Sequence, residues 1–151
     1  MTTFVIDASI AVKWVVEEAE TQDALALRKG NRLIAPDLLA SECANLLWKK
    51  SQRNELTDEE AIFAARLLAR SDVELLPTRA LMETATRLAI ELRHPAYDCT
   101  YLALAIENGC RFVTADEGFA RKVDALGCPE TAGRVSLLGR DAEPARGGAG
   151  D

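Results

Sequence analysis

Short runs of β-branched and aromatic residues alternate along the chain with longer segments in which apolar residues recur at helical spacing. The short runs predict strands at residues 3–6, 33–35, 73–76 and 111–114, and residues 135–138 are a candidate for a last, edge strand. Strands and helices that alternate through the whole length favour a parallel sheet covered on both faces, because parallel strands need crossover connections.

Capping residues and helix breakers delimit the helical segments. The predicted helices cover residues 8–17, 19–29, 36–53, 57–70, 78–93 and 97–108. Pro36 is expected to begin the third because its fixed φ suits a first helical turn, Thr57 opens a capping box, and Thr78 is expected to cap the fifth helix. Gly109 is placed to end the last of them, and Asp116 to cap a further helix after the 111–114 strand.

The length of 151 residues and the apolar content of 48% are typical of one globular domain. We predict that this domain spans residues 1–138 and that residues 139–151, rich in Gly, Ala and charge, form a flexible C-terminal tail. The sequence contains no long apolar run and no pattern resembling a signal peptide, so we expect a cytoplasmic protein without a membrane partner.

Cysteine spacing and net charge narrow the chemistry. The four cysteines form no C-x-x-C pair and His94 is the only histidine, so buried reduced thiols are expected rather than a zinc site. The net charge of −6 is unlike the basic surface of most nucleic-acid-binding proteins. Acids gathered at a metal site would reduce this conflict, because bound cations reverse the local field.

Four acids stand at positions that suggest chemistry. Asp7 and Asp116 follow predicted strands, and ligand sites in parallel α/β sheets form at the carboxyl ends of strands. Glu42 and Asp98 lie on predicted helices among apolar neighbours, where a carboxylate is costly to bury unless it is paired or holds a metal. Taken singly, pairing with arginine or a place at the edge of the apolar stripe explains each of these two equally well.

The same acids belong to four short motifs. They are VIDAS at residues 5–9, APDLL at 35–39 followed by Glu42, YDC at 97–99 and VTAD at 113–116. In this order they resemble PIN-domain ribonuclease toxins of the VapC type, and the resemblance covers residues 4–138. It implies an α/β fold, a PIN-like three-layer α/β/α sandwich with a central parallel sheet of about four to five strands, in which the four acids share one pocket.

The resemblance further implies a Mg²⁺- or Mn²⁺-dependent endoribonuclease, the toxin of a type II toxin–antitoxin system, with RNA as substrate, a cognate antitoxin as partner and a homodimer as assembly. Hard oxygen ligands suit these ions. Asp7, Asp98 and Asp116 are the expected metal ligands, and Glu42 is expected to bind a second ion or to orient the attacking water.

Hydroxyl groups near the acids are candidates for a supporting role. Ser9 and Thr114 lie two residues from Asp7 and Asp116, within reach of hydrogen bonds to those carboxylates. An ordinary place in the first helical turn and in the strand explains the two hydroxyls as well.

Basic and aromatic residues supply candidates for binding surfaces. Lys13 and Lys49, the latter with Lys50 and Arg53, are candidates for contacts to RNA phosphates, although a solvated helix face accounts for them too. Trp14 and Trp48 belong either to the core or to a surface that binds an amphipathic antitoxin segment.

Three other classes of protein were weighed. A receiver domain needs an adjacent acidic pair after the first strand, whereas Ile6 precedes Asp7. A haloacid-dehalogenase-type phosphatase needs an aspartate two places after Asp7, whereas Ser9 stands there. A non-catalytic PIN-like module that binds protein or RNA without cutting it stays open as the alternative.

Overall fold

The computed structural model describes residues 1–140, so residues 141–151 of the predicted tail lie outside the described part of the chain. Within residues 1–140 there are five β-strands and seven α-helices. In chain order they are β1 (Thr3–Ile6), α1 (Ala8–Ala11), α2 (Thr21–Leu27), β2 (Arg32–Pro36), α3 (Leu39–Gln52), α4 (Asp58–Ala69), β3 (Glu74–Leu76), α5 (Met82–Leu92), α6 (Ala96–Asn108), β4 (Arg111–Thr114), α7 (Glu117–Leu126) and β5 (Val135–Leu137).

The five strands form one parallel sheet in the order β3-β2-β1-β4-β5. Strand β1 is central, with Val5 opposite Ile34 of β2 and Ile6 opposite Val113 of β4. These central strands are buried at almost every position, because helices cover both faces of a parallel sheet.

The direction of the crossovers arranges the helices in layers. From β1 the chain moves through β2 to β3 on one side, then returns across the sheet to β4 and β5 on the other. Right-handed crossovers therefore place α1 to α4 on one face and α5 to α7 on the opposite face, which gives the three-layer α/β/α sandwich predicted from the sequence. The strand order reverses between β1 and β4, and such a reversal opens a crevice at the carboxyl ends of the strands.

Helix α6 is the most deeply buried helix of the domain. Tyr101, Leu102 and Ala105 are fully buried, and α6 packs against β1, β2 and β4 on one side and α5 on the other. It leads into β4, so it runs opposite to the strands and its first turn, which carries Asp98, lies at the carboxyl edge of the sheet.

The predicted helix over residues 8–17 is wrong beyond Ala11. Helix α1 ends there and a 3-10 turn, Val12–Trp14, follows it. Side chains hold the chain in a compact turn after this point, because Lys13 Nζ donates to the Ala19 carbonyl at 2.7 Å and Thr21 Oγ1 donates to the Val16 carbonyl at 3.2 Å. Helix α2 accordingly covers a shorter segment than the predicted 19–29.

Two predicted helix starts are also corrected. Pro36 is the last residue of β2, opposite Leu76, and helix α3 begins at Leu39. Proline is accepted there because Pro36 lies beyond the paired part of β1, where no N–H is needed. Thr78 does not cap α5; its hydroxyl donates to Asp37 Oδ1 at 3.5 Å, and a 3-10 turn precedes the helix.

Three predicted capping residues are confirmed. Thr57 forms the capping box of α4, Gly109 ends α6 in the left-handed conformation at φ 62°, and Asp116 caps α7. All four cysteines are free thiols, of which Cys43 and Cys99 are buried and the other two half-buried. In residues 1–140 we find no helix that is both long and apolar enough to cross a membrane.

Candidate active site

Asp7 lies directly after the central strand and is 7% exposed. Its Oδ1 accepts hydrogen bonds from Ser9 Oγ at 2.6 Å and from the Ile10 amide at 3.3 Å, so that Asp7 also caps α1. Its Oδ2 accepts from Thr114 Oγ1 at 2.6 Å. A carboxylate oxygen accepts about two hydrogen bonds, so Oδ2 retains capacity for one more donor or for a cation.

Asp116 is tied to Asp7 through the same two hydroxyls. The Asp116 amide donates to Thr114 Oγ1 at 3.1 Å, and the Ala115 amide donates to Ser9 Oγ at 3.1 Å. Asp116 Oδ1 accepts from the Phe119 amide at 3.0 Å, which caps α7. The loops that follow β1 and β4 are thus joined into one hydrogen-bonded unit that carries both acids.

Glu42 lies in the first turn of α3 and is half-buried. Its Oε1 accepts a 2.6 Å hydrogen bond from the hydroxyl of Tyr101, which is fully buried in α6. The bond links the helix that follows β2 to the helix that precedes β4, and it holds one oxygen of the carboxylate in place.

Asp98 lies in the first turn of α6, and 33% of its side chain is accessible. Its Oδ2 lies 2.7 Å from His94 Nε2, and His94 Nδ1 lies 3.1 Å from Lys122 Nζ on α7. The His94 ring packs against Phe119 with ring centroids 4.8 Å apart.

The electrostatics of the carboxylates show that three of them are neighbours. Burial raises the pKa of Asp7 to about 6, against the lowering effect of the Ser9 and Thr114 hydrogen bonds, and the negative charge of Asp98 raises it further. Burial also raises the pKa of Glu42, opposed by the Tyr101 hydrogen bond and reinforced by Asp98. The negative charge of Asp98 thus acts on both Asp7 and Glu42.

Within residues 1–140, none of the four carboxylates forms a salt bridge with lysine or arginine. Over the same residues, no three acidic, histidine or cysteine side chains stand close enough to form a ready metal cluster. A divalent cation such as Mg²⁺ does not require such a cluster, because it keeps several waters and is commonly held by only one or two direct carboxylates.

The predicted basic contacts divide into buried and exposed residues. Lys13 is 8% exposed, and its ammonium group is engaged by the Ala19 carbonyl and by Glu18 at 3.4 Å, so it is not available to an RNA phosphate. Lys50 pairs with Glu18 at 2.7 Å and with Glu55 at 3.4 Å. Lys49 and Arg53 are exposed and form no salt bridge within residues 1–140.

The two tryptophans have different surroundings. Trp14 is half-buried; its Nε1 donates to the Ala24 carbonyl at 2.8 Å, and the Arg28 guanidinium lies 4.7 Å above its ring. Trp48 is 56% exposed on α3. Trp14 is therefore a structural residue, and Trp48 is the tryptophan that a partner can reach.

Sequence reasoning missed Tyr101, and it treated His94 only in relation to zinc and did not consider Lys122. Tyr101 lies three residues after Asp98, among the apolar neighbours of that acid on the helix. His94 lies four residues before Asp98 but outside α6, on the other side of Pro95, so helical spacing does not predict their contact. Nothing in the local sequence signals Lys122, because its contact with His94 joins segments 28 residues apart.

Comparison with known proteins identifies relatives for most of the chain. The PIN domain family model matches residues 4–125. Ribonuclease VapC3 of Pyrobaculum aerophilum is 35% identical over 134 residues, which cover 83% of this chain and 98% of the relative. Ribonuclease VapC9 of Mycobacterium tuberculosis is 32% identical over 112 residues, covering 74% and 84%.

Solved structures share the fold. PAE2754 from Pyrobaculum aerophilum superposes with a TM-score of 0.61 at 23% identity, covering 80% of this chain and 79% of that one. VapC20 of Mycobacterium tuberculosis, a sarcin-ricin loop cleaving toxin, gives a TM-score of 0.59 at 18% identity, covering 78% and 93%.

The raised pKa of Asp7 leads to a prediction about stability in metal-free protein. The folded state holds the Asp7 proton more tightly than the unfolded chain does. Protonation of Asp7 therefore stabilises the folded state fully below about pH 4, and this stabilisation is lost as the pH rises through about 6. Asp7→Asn cannot ionise, so it should exceed the wild type in free energy of unfolding by up to about 3 kcal/mol at pH 8. The difference should shrink towards pH 4.

Urea unfolding in EDTA at pH 4.5, 6 and 8 measures this difference. Asp124→Asn, which alters an exposed carboxylate on α7, is the matched control and should show no comparable trend. A constant difference between Asp7→Asn and wild type across this pH range would contradict the prediction.

Proposed function

The chain belongs to the PIN-domain family, and from this premise we propose that it is an endoribonuclease and the toxin of a type II toxin–antitoxin pair. In this proposal Asp7, Glu42, Asp98 and Asp116 hold a divalent cation, Mg²⁺ or Mn²⁺, and the protein hydrolyses phosphodiester bonds of RNA in the cytoplasm. The alternative is a PIN-like module that binds protein or RNA without cleaving it.

One observation carries the proposal: four carboxylates are oriented by neutral donors and, within residues 1–140, form no salt bridge with lysine or arginine. Glu42, Asp98 and Asp116 each have one oxygen held by a protein group, while the other accepts no hydrogen bond from residues 1–140. Oriented oxygens in this state, of which those of Glu42 and Asp98 are also partly buried, favour a hard cation that supplies the missing positive charge.

The chain's own residues perform the orienting work of the reaction. Ser9 and Thr114 hold Asp7, and the Phe119 amide of α7 holds Asp116. These two carboxylates are therefore fixed before RNA binds. Glu42, held by Tyr101, is placed to orient a water through its second oxygen. A bound divalent cation supplies the positive charge that favours ionisation of the attacking water and offsets charge on the phosphate.

Lys49 is the proposed contact to an RNA phosphate beside the cleaved bond. It follows Glu42 by seven residues on α3, which returns to the same helix face after two turns, roughly 10 Å along the axis. Its ammonium group is exposed. Lys13, which was also a candidate on sequence grounds, has no part in the proposal because it is buried.

An apolar groove between α3 and α4 supports the antitoxin as partner. It has a volume of about 360 Å³ and its lining includes Leu47, Trp48, Ala61 and Ile62. Trp48 and Ile62 are 56% and 55% exposed, an unusual exposure for large apolar side chains on adjoining helices. We assign this groove to an amphipathic antitoxin helix, whose apolar face would cover both residues.

The homodimer implied by the family remains part of the proposal. Met82 and Ile90 lie on one face of α5 and are 67% and 72% exposed. They are the apolar surface that such a dimer would bury.

Purified protein should cleave members of a panel of structured RNAs when Mg²⁺ or Mn²⁺ is present and should stop when EDTA is added. Asp98→Asn should reduce the cleavage rate by more than about 100-fold, beyond the 10- to 100-fold effects that accompany loss of a supporting hydrogen bond to a metal ligand. Gel analysis of labelled RNA measures the rate.

Asp124→Asn is the control for this assay, because it removes an equal charge from an exposed position. Equal cleavage by wild type, Asp7→Asn and Asp98→Asn would assign the activity to a contaminant or another site. A folded protein that binds Mn²⁺ and RNA but cuts none of the panel would favour the non-catalytic alternative.

Lys49→Ala should weaken RNA binding in a salt-dependent way. Loss of one phosphate contact on a single strand should make the negative slope of log K against log salt concentration shallower by about 0.7. Fluorescence anisotropy with a labelled single-stranded RNA and the Asp98→Asn protein measures the slope without cleavage.

Lys29→Ala provides the matched control, since Lys29 is exposed and lies before β2, at the amino end of the sheet. An unchanged slope in Lys49→Ala would remove Lys49 from the RNA surface.

Expression of the chain alone should arrest bacterial growth, and Asp98→Asn at equal soluble expression should not. Co-expression of the small open reading frame expected immediately upstream of the gene should restore growth. Ile62→Asp places a charge in the groove, so this variant should still arrest growth but should escape the rescue.

Glu59→Lys tests for a general effect of altered charge on α4, because this residue is exposed and does not line the groove. Normal growth with abundant soluble wild-type protein would count against a toxin, and rescue of Ile62→Asp would place the antitoxin elsewhere.

A further inference from the structure

Asp98 differs from the other three acids in the group that orients it. Asp7 is held by hydroxyls, Asp116 by a backbone amide and Glu42 by a phenol. Asp98 is held by an imidazole, and that imidazole is itself held by Lys122. The core does not require this Asp98–His94–Lys122 series of contacts, because Asp98 is only half-buried and Lys122 is exposed.

The contact with Lys122 determines the tautomer of His94. An ammonium group has donors only, so at 3.1 Å from Nδ1 it must donate to that nitrogen, which therefore carries no proton. The proton of the neutral ring then resides on Nε2, and it is donated to Asp98 Oδ2 across 2.7 Å. The hydrogen bond from His94 leaves Asp98 Oδ1 as the oxygen open to a cation or its waters.

The same series of contacts connects Asp98 on α6 with Asp116 at the start of α7. Lys122 lies on α7, the helix that Asp116 caps, and Phe119 of that helix packs against the His94 ring at 4.8 Å. Lys122 also donates to the Arg93 carbonyl at 3.3 Å, which secures the turn between α5 and α6. These contacts couple the position of Asp98 on α6 to that of α7 and of Asp116, which caps α7.

We propose that His94 and Lys122 are positioning residues that hold Asp98 at a fixed distance from Asp116, so that both can serve one divalent cation. The inference rests on the proposed function, because His94 and Lys122 have this role only if the acids bind an ion. Lys122 acts through His94, and neither residue touches RNA or the reacting atoms.

Mn²⁺ binding to the purified full chain, measured by the electron paramagnetic resonance signal of free Mn²⁺, tests the proposal independently of cleavage. His94→Phe keeps a ring against Phe119 and removes the donor, so its Kd for Mn²⁺ should rise about 10-fold or more. His94→Gln retains an N–H donor and should recover most of the affinity. The Mn²⁺ concentration that half-activates cleavage should shift in parallel with Kd.

Lys122→Met gives a second test, in which loss of charge and loss of positioning predict opposite changes in Mn²⁺ affinity. Removal of a positive charge near acids would by simple electrostatics tighten Mn²⁺ binding, whereas loss of the positioning contact should weaken it about threefold or more. Arg121→Met removes the same charge from the neighbouring exposed position and should not weaken Mn²⁺ binding.

The outcomes separate this inference from the function on which it rests. Weak or absent Mn²⁺ binding by the wild type would overturn the proposed function itself. Tight binding by the wild type with unchanged Kd in His94→Phe, in protein whose circular dichroism and melting temperature match the wild type, would overturn only the positioning role. Tighter binding by Lys122→Met would overturn the part assigned to Lys122.

Discussion

The hydrogen bond from Thr114 to Asp7 joins residues 107 positions apart, and the arrangement of the acids depends on it. Parallel pairing of β1 with β4 places Ile6 opposite Val113, so the next residue of each strand, Asp7 and Thr114, meet at the carboxyl edge. Ser9 completes the link by donating to Asp7 and accepting from the Ala115 amide. A shift of one residue in this register would turn the strand side chains to opposite faces and separate the pair.

Burial at this edge has an energetic consequence for the fold. The donors of Ser9 and Thr114 lower the pKa of Asp7, yet desolvation outweighs them and the pKa stands near 6. The ionised form is therefore less favourable in the folded protein than in the unfolded chain, and the apolar core formed by α6 and the central strands must offset the difference. Sites that retain an unfavourable local interaction inside a stable scaffold are commonly functional ones.

The parts of this architecture that follow from local sequence are those governed by local physics. Short apolar runs predicted four strands and offered residues 135–138 as a candidate for the fifth. The Thr57 capping box and Gly109 identified helix ends, and the acids after β1 and β4 followed from the rule for parallel sheets. The errors arose where distant contacts decide the outcome. Lys13 looked like a surface base, but its side chain turns inward to a carbonyl six residues away.

Long-range contacts also explain the residues that sequence reasoning did not find. The Tyr101 hydroxyl reaches Glu42 across 59 positions, and Lys122 reaches His94 across 28. No periodicity or spacing encodes such pairs, because each is produced by the packing of α6 or α7 against its neighbours. The resemblance to a known family supplied the grouping of Glu42 and Asp98 with the strand-end acids, which helical position alone left undecided between a site and an ordinary salt bridge.

The acidic charge of the chain, which at first argued against a role with RNA, becomes intelligible from the way the four carboxylates are held. Arginine paired with any of them would have fixed its orientation as well as a hydroxyl does, but it would also have cancelled the negative potential that attracts a divalent cation. Neutral donors orient without neutralising. Where a lysine does take part, at Asp98, an imidazole ring stands between the two charges and keeps the ammonium away from the carboxylate. Under the proposed function the four carboxylates keep their capacity for a cation, and that cation would provide the positive centre that an RNA phosphate requires and that the acidic chain does not otherwise supply.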